Sequence, residues 1–160
     1  MANICENQLT VSGPNVKAFH DRFKGKPAKW DANSIQEECI CFNALIPVPQ
    51  KVIEDGYAVS GYDWCNKNWG VKWDICGNVY IEEEPNEDSD TVKYEFDTPW
   101  CPPEAWLEKV APMFPELNFT LIYGEIGCEI GGEIEFIGDN KTEIQYCIDE
   151  IKQFVGYIDD

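Results

Sequence analysis

From residue 4 to residue 12, apolar and polar positions alternate. Cys5, Asn7, Leu9 and Val11 fall on one side and Glu6, Gln8 and Thr10 on the other, the period of a half-buried strand. Ser12-Gly13-Pro14 stops it, and Val16, Phe19, His20 and Phe23 then recur at helical spacing, with His20 read as a partly exposed helix residue. A loop over 25–38 is anchored by Trp30. A second strand is expected at 40–45, ended by Ile46-Pro47-Val48-Pro49, and residues 50–63 read as irregular or a short helix broken at Gly56 and Gly61. Strands follow at 78–84 and 91–97. A helix starts at Pro102 or Pro103, with Trp106, Leu107, Val110 and Phe114 as its stripe. Strands at 117–124 and 128–137 come next, Glu129, Glu133 and Glu135 facing outward on the second. Ile144, Cys147, Ile148, Ile151 and Val155 then predict a final helix over 142–155.

The order β-α-β-β-β-α-β-β-α is close to two β-α-β halves. It predicts a single α+β domain over 1–160, a ferredoxin-like sandwich whose mainly antiparallel sheet carries helices on one face, plus an extra C-terminal helix. The other face is expected to be open, carrying Glu6, Glu82, Glu84, Glu95, Asp97, Glu133 and Glu135 with Tyr80 as its one clear aromatic.

Residues 64–74 fit no simple period. They hold three of the six tryptophans and two lysines, and Gly70 weakens the helical face that Trp69 and Trp73 would share. A companion stretch runs Phe96-Asp97-Thr98-Pro99-Trp100-Cys101-Pro102-Pro103. Several blocks, in order, resemble one family: Asn3-x-Cys5-Glu6-Asn7-x-Leu9-Thr10-Val11-Ser12-Gly13, Asn43-Ala44-Leu45-Ile46-Pro47-Val48-Pro49, Asn68-Trp69-Gly70-Val71-Lys72-Trp73-Asp74, the 96–103 stretch, and Tyr123-Gly124-Glu125-x-Gly127. Together they look like the YubB-type ferredoxin-like domains of phages, prophages and conjugative plasmids, over roughly residues 3–135. The resemblance implies that fold and a mobile-element origin, and no catalytic activity. Where the family usually has Ser, this chain has Cys101; a small residue there suits a helix cap, which argues against a required nucleophile.

Charge changes the picture. Acids number 30 against 12 bases, a net of -18. Residues 1–30 carry five bases and two acids, a local +3, which leaves -21 on the remaining 130. Such a surface disfavours nucleic acid and anionic membranes and suits a basic partner. Alternate strand residues lie about 6.6 Å apart, where two like charges cost roughly 0.6 kcal/mol even in water. Eight acids fall between Glu82 and Asp97 and eight between Glu125 and Glu150. Two readings follow: a solvated acidic surface, or a field that attracts a cationic partner by imitating nucleic acid. The second assigns partner contact to Glu82, Glu83, Glu84, Glu87, Asp88, Asp90, Glu95, Asp97, Glu129, Glu133 and Glu135. It makes the chain an inhibitor of a host nucleic-acid-targeting defence complex, of anti-CRISPR or anti-restriction type, acting in the host cytoplasm.

The alternative is a small-ligand or nucleotide-signal binder whose pocket uses Trp69, Lys72, Trp73, Asp74 and Trp100, with stacking rings and a lysine for an anion. Carboxylates at Asp63, Asp74, Asp97 and Glu125 could converge with Lys72 to bind a metal or do acid–base work; against that cluster stands a packed loop in which Asp74 and Lys72 cap and pair, and no catalytic, cofactor or metal residue is assigned. The cysteines show no C-x-x-C spacing and read as reduced thiols, there is no Gly-rich phosphate loop, and neither a leader nor a membrane span is apparent at the sequence level.

Overall fold

The computed structural model describes residues 3–75 and 78–156; Cys76 lies outside them. Its frame is a six-stranded sheet ordered β4-β5-β1-β6-β7-β8, every neighbouring pair antiparallel. In chain order the elements are β1 (Ile4–Ser12), α1 (Val16–Arg22), β2 (Lys24–Gly25), β3 (Cys39–Ile40), α2 (Gln50–Asp55), α3 (Tyr62–Asn68), β4 (Val79–Tyr80), β5 (Thr91–Pro99), α4 (Glu104–Val110), β6 (Asn118–Glu125), β7 (Ile130–Ile137), β8 (Asn140–Gln145) and α5 (Ile148–Phe154). β5 and β6 flank β1 and run parallel to each other, so β5-α4-β6 is a split β-α-β unit. This is the ferredoxin-like α+β sandwich that the periodicity predicts.

Alternation decides the faces. Cys5, Leu9 and Val11 of β1, Val92, Tyr94 and Phe96 of β5, Phe119 and Leu121 of β6 and Ile134 of β7 all turn to one side. Phe19 and Phe23 from the α1 segment and Trp106, Leu107 and Val110 of α4 cover them. Phe19 sits amid Phe23, Tyr94, Phe114 and Phe119, with ring centroids 5.1–6.2 Å apart. Side chains of this size contribute about 1.5–3 kcal/mol each when buried.

Several expected elements are different. The strand at 40–45 is only Cys39–Ile40, because Phe42–Ala44 forms a 3-10 turn whose first amides are held by Asp74. The strand at 78–84 shrinks to Val79–Tyr80, since the chain leaves the sheet toward α1. The predicted helix over 142–155 is half strand. Gly138-Asp139 makes a two-residue hairpin, with φ of +58° at Gly138, and returns residues 140–145 along β7 before α5 begins at Ile148. Every residue of β8 is exposed, so burial left no strand period to read.

The second face is not wholly open. On it, Gly124 of β6 and Gly131 of β7 stand directly opposite each other, and Ile151 of α5 drops onto them fully buried. A Cβ at Gly131 would come within 2.5 Å of Ile151 Cγ1. The two glycines therefore make the seat for α5, and the rest of that face stays accessible.

Candidate functional site: a carboxylate-lined cleft and an aromatic cleft

Beside α5 the accessible part of this face forms a cleft of about 650 Å³. It is lined by Glu6 and Gln8 of β1, Glu95 and Asp97 of β5, Asn78, Tyr80 and Phe154, and among the described residues no lysine or arginine lines it. Antiparallel register builds it. Glu6 is opposite Asp97, and Gln8 is opposite Glu95, which in turn faces Tyr80. Directly opposed side chains on one face have Cβ atoms about 5 Å apart, so two carboxylates are held against each other without an intervening base. Burial raises the Glu6 carboxyl above its usual range, and Asp97 raises it further; burial likewise raises Asp97. A cation entering here would relieve a repulsion that the fold maintains.

The remaining predicted partner residues do not share this cleft. Glu133 and Glu135 lie on the same face of β7, where Glu133 accepts from Tyr146 Oη at 3.3 Å and Glu135 from Thr120 Oγ1 at 3.4 Å. Glu129, expected on a strand, sits in the β6–β7 turn with φ of +55°. The segment holding Glu82, Glu83, Glu84, Glu87, Asp88 and Asp90 runs off the sheet to α1, where Glu84 reaches His20 at 2.7 Å and Lys24 at 3.8 Å and Glu87 reaches Lys17 at 4.0 Å. Glu82 and Glu84 are therefore not on the sheet face where alternation placed them. The basic N-terminal segment meets the acidic segment within the molecule. His20, expected half-exposed, is 2% exposed.

The tryptophan-rich stretch divides. Gly70, with φ of +81°, ends α3 just after Trp69. Trp69 is core, 1% exposed, its Nε1 donating to the Ile46 carbonyl at 2.9 Å. Asp74 accepts from the amides of Phe42 (2.6 Å), Asn43 (3.0 Å) and Ile75 (2.8 Å), a structural cap. Lys72, expected to pair with Asp74, places Nζ 4.7 Å from the Trp73 ring centroid and 5.8 Å from that of Trp100. Trp73 and Trp100 are 45% and 42% exposed. Trp69, Trp73 and Asp74 also line a second cleft, of about 310 Å³, with Trp30, Asp31 and Tyr57; Lys72 and Trp100 are outside its wall. Sequence reasoning missed Trp30, Asp31 and Tyr57 as site residues, although Gly56 and Gly61 bracketing Tyr57 marked an irregular turn.

The carboxylates that could converge with Lys72 lie on different elements: Asp63 on α3, Asp74 in the loop after it, Asp97 on β5 and Glu125 at the end of β6. Glu125 is buried in its own turn: burial alone would raise its pKa, but the Cys128 thiol and the amides of Cys128 and Gly127 hold it below the usual range. Among the described residues no three His, Cys, Asp or Glu side chains gather as a metal-ligating set, the seven cysteines are free thiols, and no helix is long and apolar enough to cross a membrane. Burial pushes the thiols of Cys5 and Cys65 up to about 12 and also raises Cys101, whose Sγ lies 3.1 Å from the Gly70 carbonyl.

Comparison with known proteins agrees with this architecture. Residues 78–156 match the family model of the ferredoxin-like domain in Api92-like protein. That stretch begins at β4 and ends after α5, so it takes in one wall of the carboxylate cleft. The crystal structure of a protein Api92 from Yersinia pseudotuberculosis superposes with a TM-score of 0.68, covering 91% of this chain and 98% of that one at 12% identity. At that identity the likeness is one of fold alone. No protein of curated function matches the sequence.

Proposed function

We propose that this chain is a binding protein that captures a basic protein partner through the carboxylate-lined cleft. The observation that carries the proposal is the in-register opposition of Glu6 and Asp97, flanked by Glu95, in a cleft with no basic lining. Carboxylates kept repulsive and partly desolvated have most to gain from a lysine or arginine, whose approach turns an unfavourable pair into a charge-assisted one. Partners rich in such side chains include proteins whose cationic grooves hold nucleic acid. Occupying that groove would make the chain an inhibitor of a nucleic-acid-targeting defence complex. The phage and plasmid origin implied by the motif resemblance supports that setting. Tyr80, 60% exposed at the cleft, adds an aromatic surface for an arginine to stack on.

The test compares two neutralisations of equal charge. Glu6→Gln with Asp97→Asn removes cleft charge, and Glu82→Gln with Asp88→Asn removes it from the α1 side. Binding to a nucleic-acid-handling effector, or to an Arg-rich model peptide, is measured at low and high salt. The expected result is loss with the cleft pair, retention with the other pair, and weakening at high salt. Equal effects of both pairs would reduce the interaction to net charge and overturn the proposal.

A further inference from the structure

The aromatic cleft stands apart from the carboxylate-lined one, and its walls are fixed in advance. Residues Tyr57–Gly61 form a single π turn, a rare geometry that recurs at functional sites. The turn presents the Tyr57 ring, and the Tyr57 hydroxyl is tied down by donating to the Lys72 carbonyl. Trp30 packs edge-on against Tyr57, centroids 5.3 Å apart at 72°. Trp30 is seated on Gly61, where a Cβ would come to 2.6 Å from its Cη2, and its backbone amide donates to Ser34 Oγ at 3.0 Å. Trp69 forms the floor. Trp73 forms the rim, with Lys72 Nζ 4.7 Å from its ring centroid and Lys72 itself outside the cleft wall.

The polar groups decide the ligand's sign. Asp31 and Asp74 line the cleft, and among the described residues no basic side chain does. Asp74 uses both oxygens on backbone amides, so it supplies field but no free ligand atom. Asp31 accepts from the Asn33 amide through Oδ1 at 2.8 Å, which leaves its other oxygen for a ligand. A strongly hydrated ammonium would forfeit its water in such surroundings, whereas a guanidinium or quaternary ammonium holds water weakly and favours ring faces. The volume is at the lower end of small-molecule pockets.

We infer that the cleft between Trp30, Tyr57 and Trp73 is a binding site for a weakly hydrated organic cation, a methylated ammonium or a guanidinium, with Asp31 as its counter-charge. This site is independent of the carboxylate cleft.

Choline and ethylguanidinium are titrated separately into the full chain, followed by calorimetry and tryptophan fluorescence, with 3,3-dimethylbutan-1-ol as the neutral isostere of choline. Saturable binding of at least one cation is expected, with the isostere about tenfold weaker, and the tighter cation identifies the class. Asp31→Asn and Trp73→Leu, both at exposed positions, each weaken it several-fold, while Glu116→Gln, exposed and outside the lining of either cleft, leaves it unchanged. Equal binding of the isostere, no saturable change with either cation up to tens of millimolar, or indifference to both Asp31→Asn and Trp73→Leu overturns the inference.

Discussion

His20 Nε2 lies 2.7 Å from Glu84 Oε2, while Nδ1 of the same ring lies 2.8 Å from the hydroxyl of buried Tyr94. The line joins the acidic segment, α1 and β5. Its two ends are unequal. Tyr94 Oη shares a hydrogen bond with Nδ1, and burial raises its pKa far above the usual value. The Glu84 contact is close but poorly aligned with the ring N–H, which leaves Nε2 without a well-directed hydrogen bond. Burial therefore dominates, with Lys24 adding to it, and the His20 pKa falls below 6.5 although Glu84 and Asp21 pull it up.

A pH dependence follows from that sign. Above 6.5 the imidazole is neutral in both states and the fold has its full stability. Below 6.5 the unfolded chain takes the proton first, so stability falls with pH until the folded value is passed, with a slope of at most about 1.4 kcal/mol per pH unit. Urea unfolding between about pH 7.5 and 5.5 should show the slope in the parent chain and its loss in His20→Gln. A parent stability that rises over that interval would contradict the assignment.

Glu6 and Asp97 act in the opposite sense at lower pH. Both folded pKa values are raised, so the folded state takes protons first as pH falls from neutrality, and their contribution becomes less unfavourable there. Glu6→Gln should stabilise the free protein at neutral pH by about 0.2–1 kcal/mol, the scale of a like-charged cross-strand pair, with solvent screening placing it toward the low end. The same variant should weaken capture of a basic partner. Gaining stability while losing binding distinguishes a functional pair from an ornamental one, and thermal melts beside a binding assay read both.

Asp74 offers a structural contrast. Its carboxylate holds the Phe42 and Asn43 amides that start the Phe42–Ala44 turn and the neighbouring Ile75 amide, and Phe42 packs on Trp69, Phe96 and Trp106 at 5.0–5.9 Å. Asp74→Ala strands those amides and should cost about 2–4 kcal/mol. Asp74→Asn keeps one acceptor and should cost less. Chemical denaturation checks the order of the three proteins.

The sheet's centre was legible because both of its faces leave a signature. β1, β5 and β6 alternate a buried residue with a solvent-facing one, and outward placement of Glu6, Glu95 and Asp97 followed from parity alone. The edges were not legible. β4 has two residues, and in β8 the apolar Ile144 is exposed among polar neighbours, so the helical spacing from Ile144 to Ile151 competed with no burial pattern. The aromatic cleft was half visible: Trp69 and Trp73 stood out as a motif, but Trp30 and Tyr57 join them from segments about 12 to 43 residues away, which local periodicity does not report. The burial of His20 depends on Tyr94 and Glu84 for the same reason.

Gly131 tests the seat beneath α5. A Cβ there would meet Ile151 Cγ1 at 2.5 Å and the Tyr123 carbonyl at 3.0 Å, and the backbone contact cannot be relieved by a rotamer change. Gly131→Ala must lift α5, giving up part of the roughly 2 kcal/mol that a buried isoleucine contributes, and should destabilise by about 1–3 kcal/mol in total. The Phe154 wall of the carboxylate cleft would move with the helix. Hydrogen exchange should then show lost protection over 148–154, with the amides of β1 and β5 unchanged. An exchange pattern identical to the parent's would mean that α5 does not rest on this glycine.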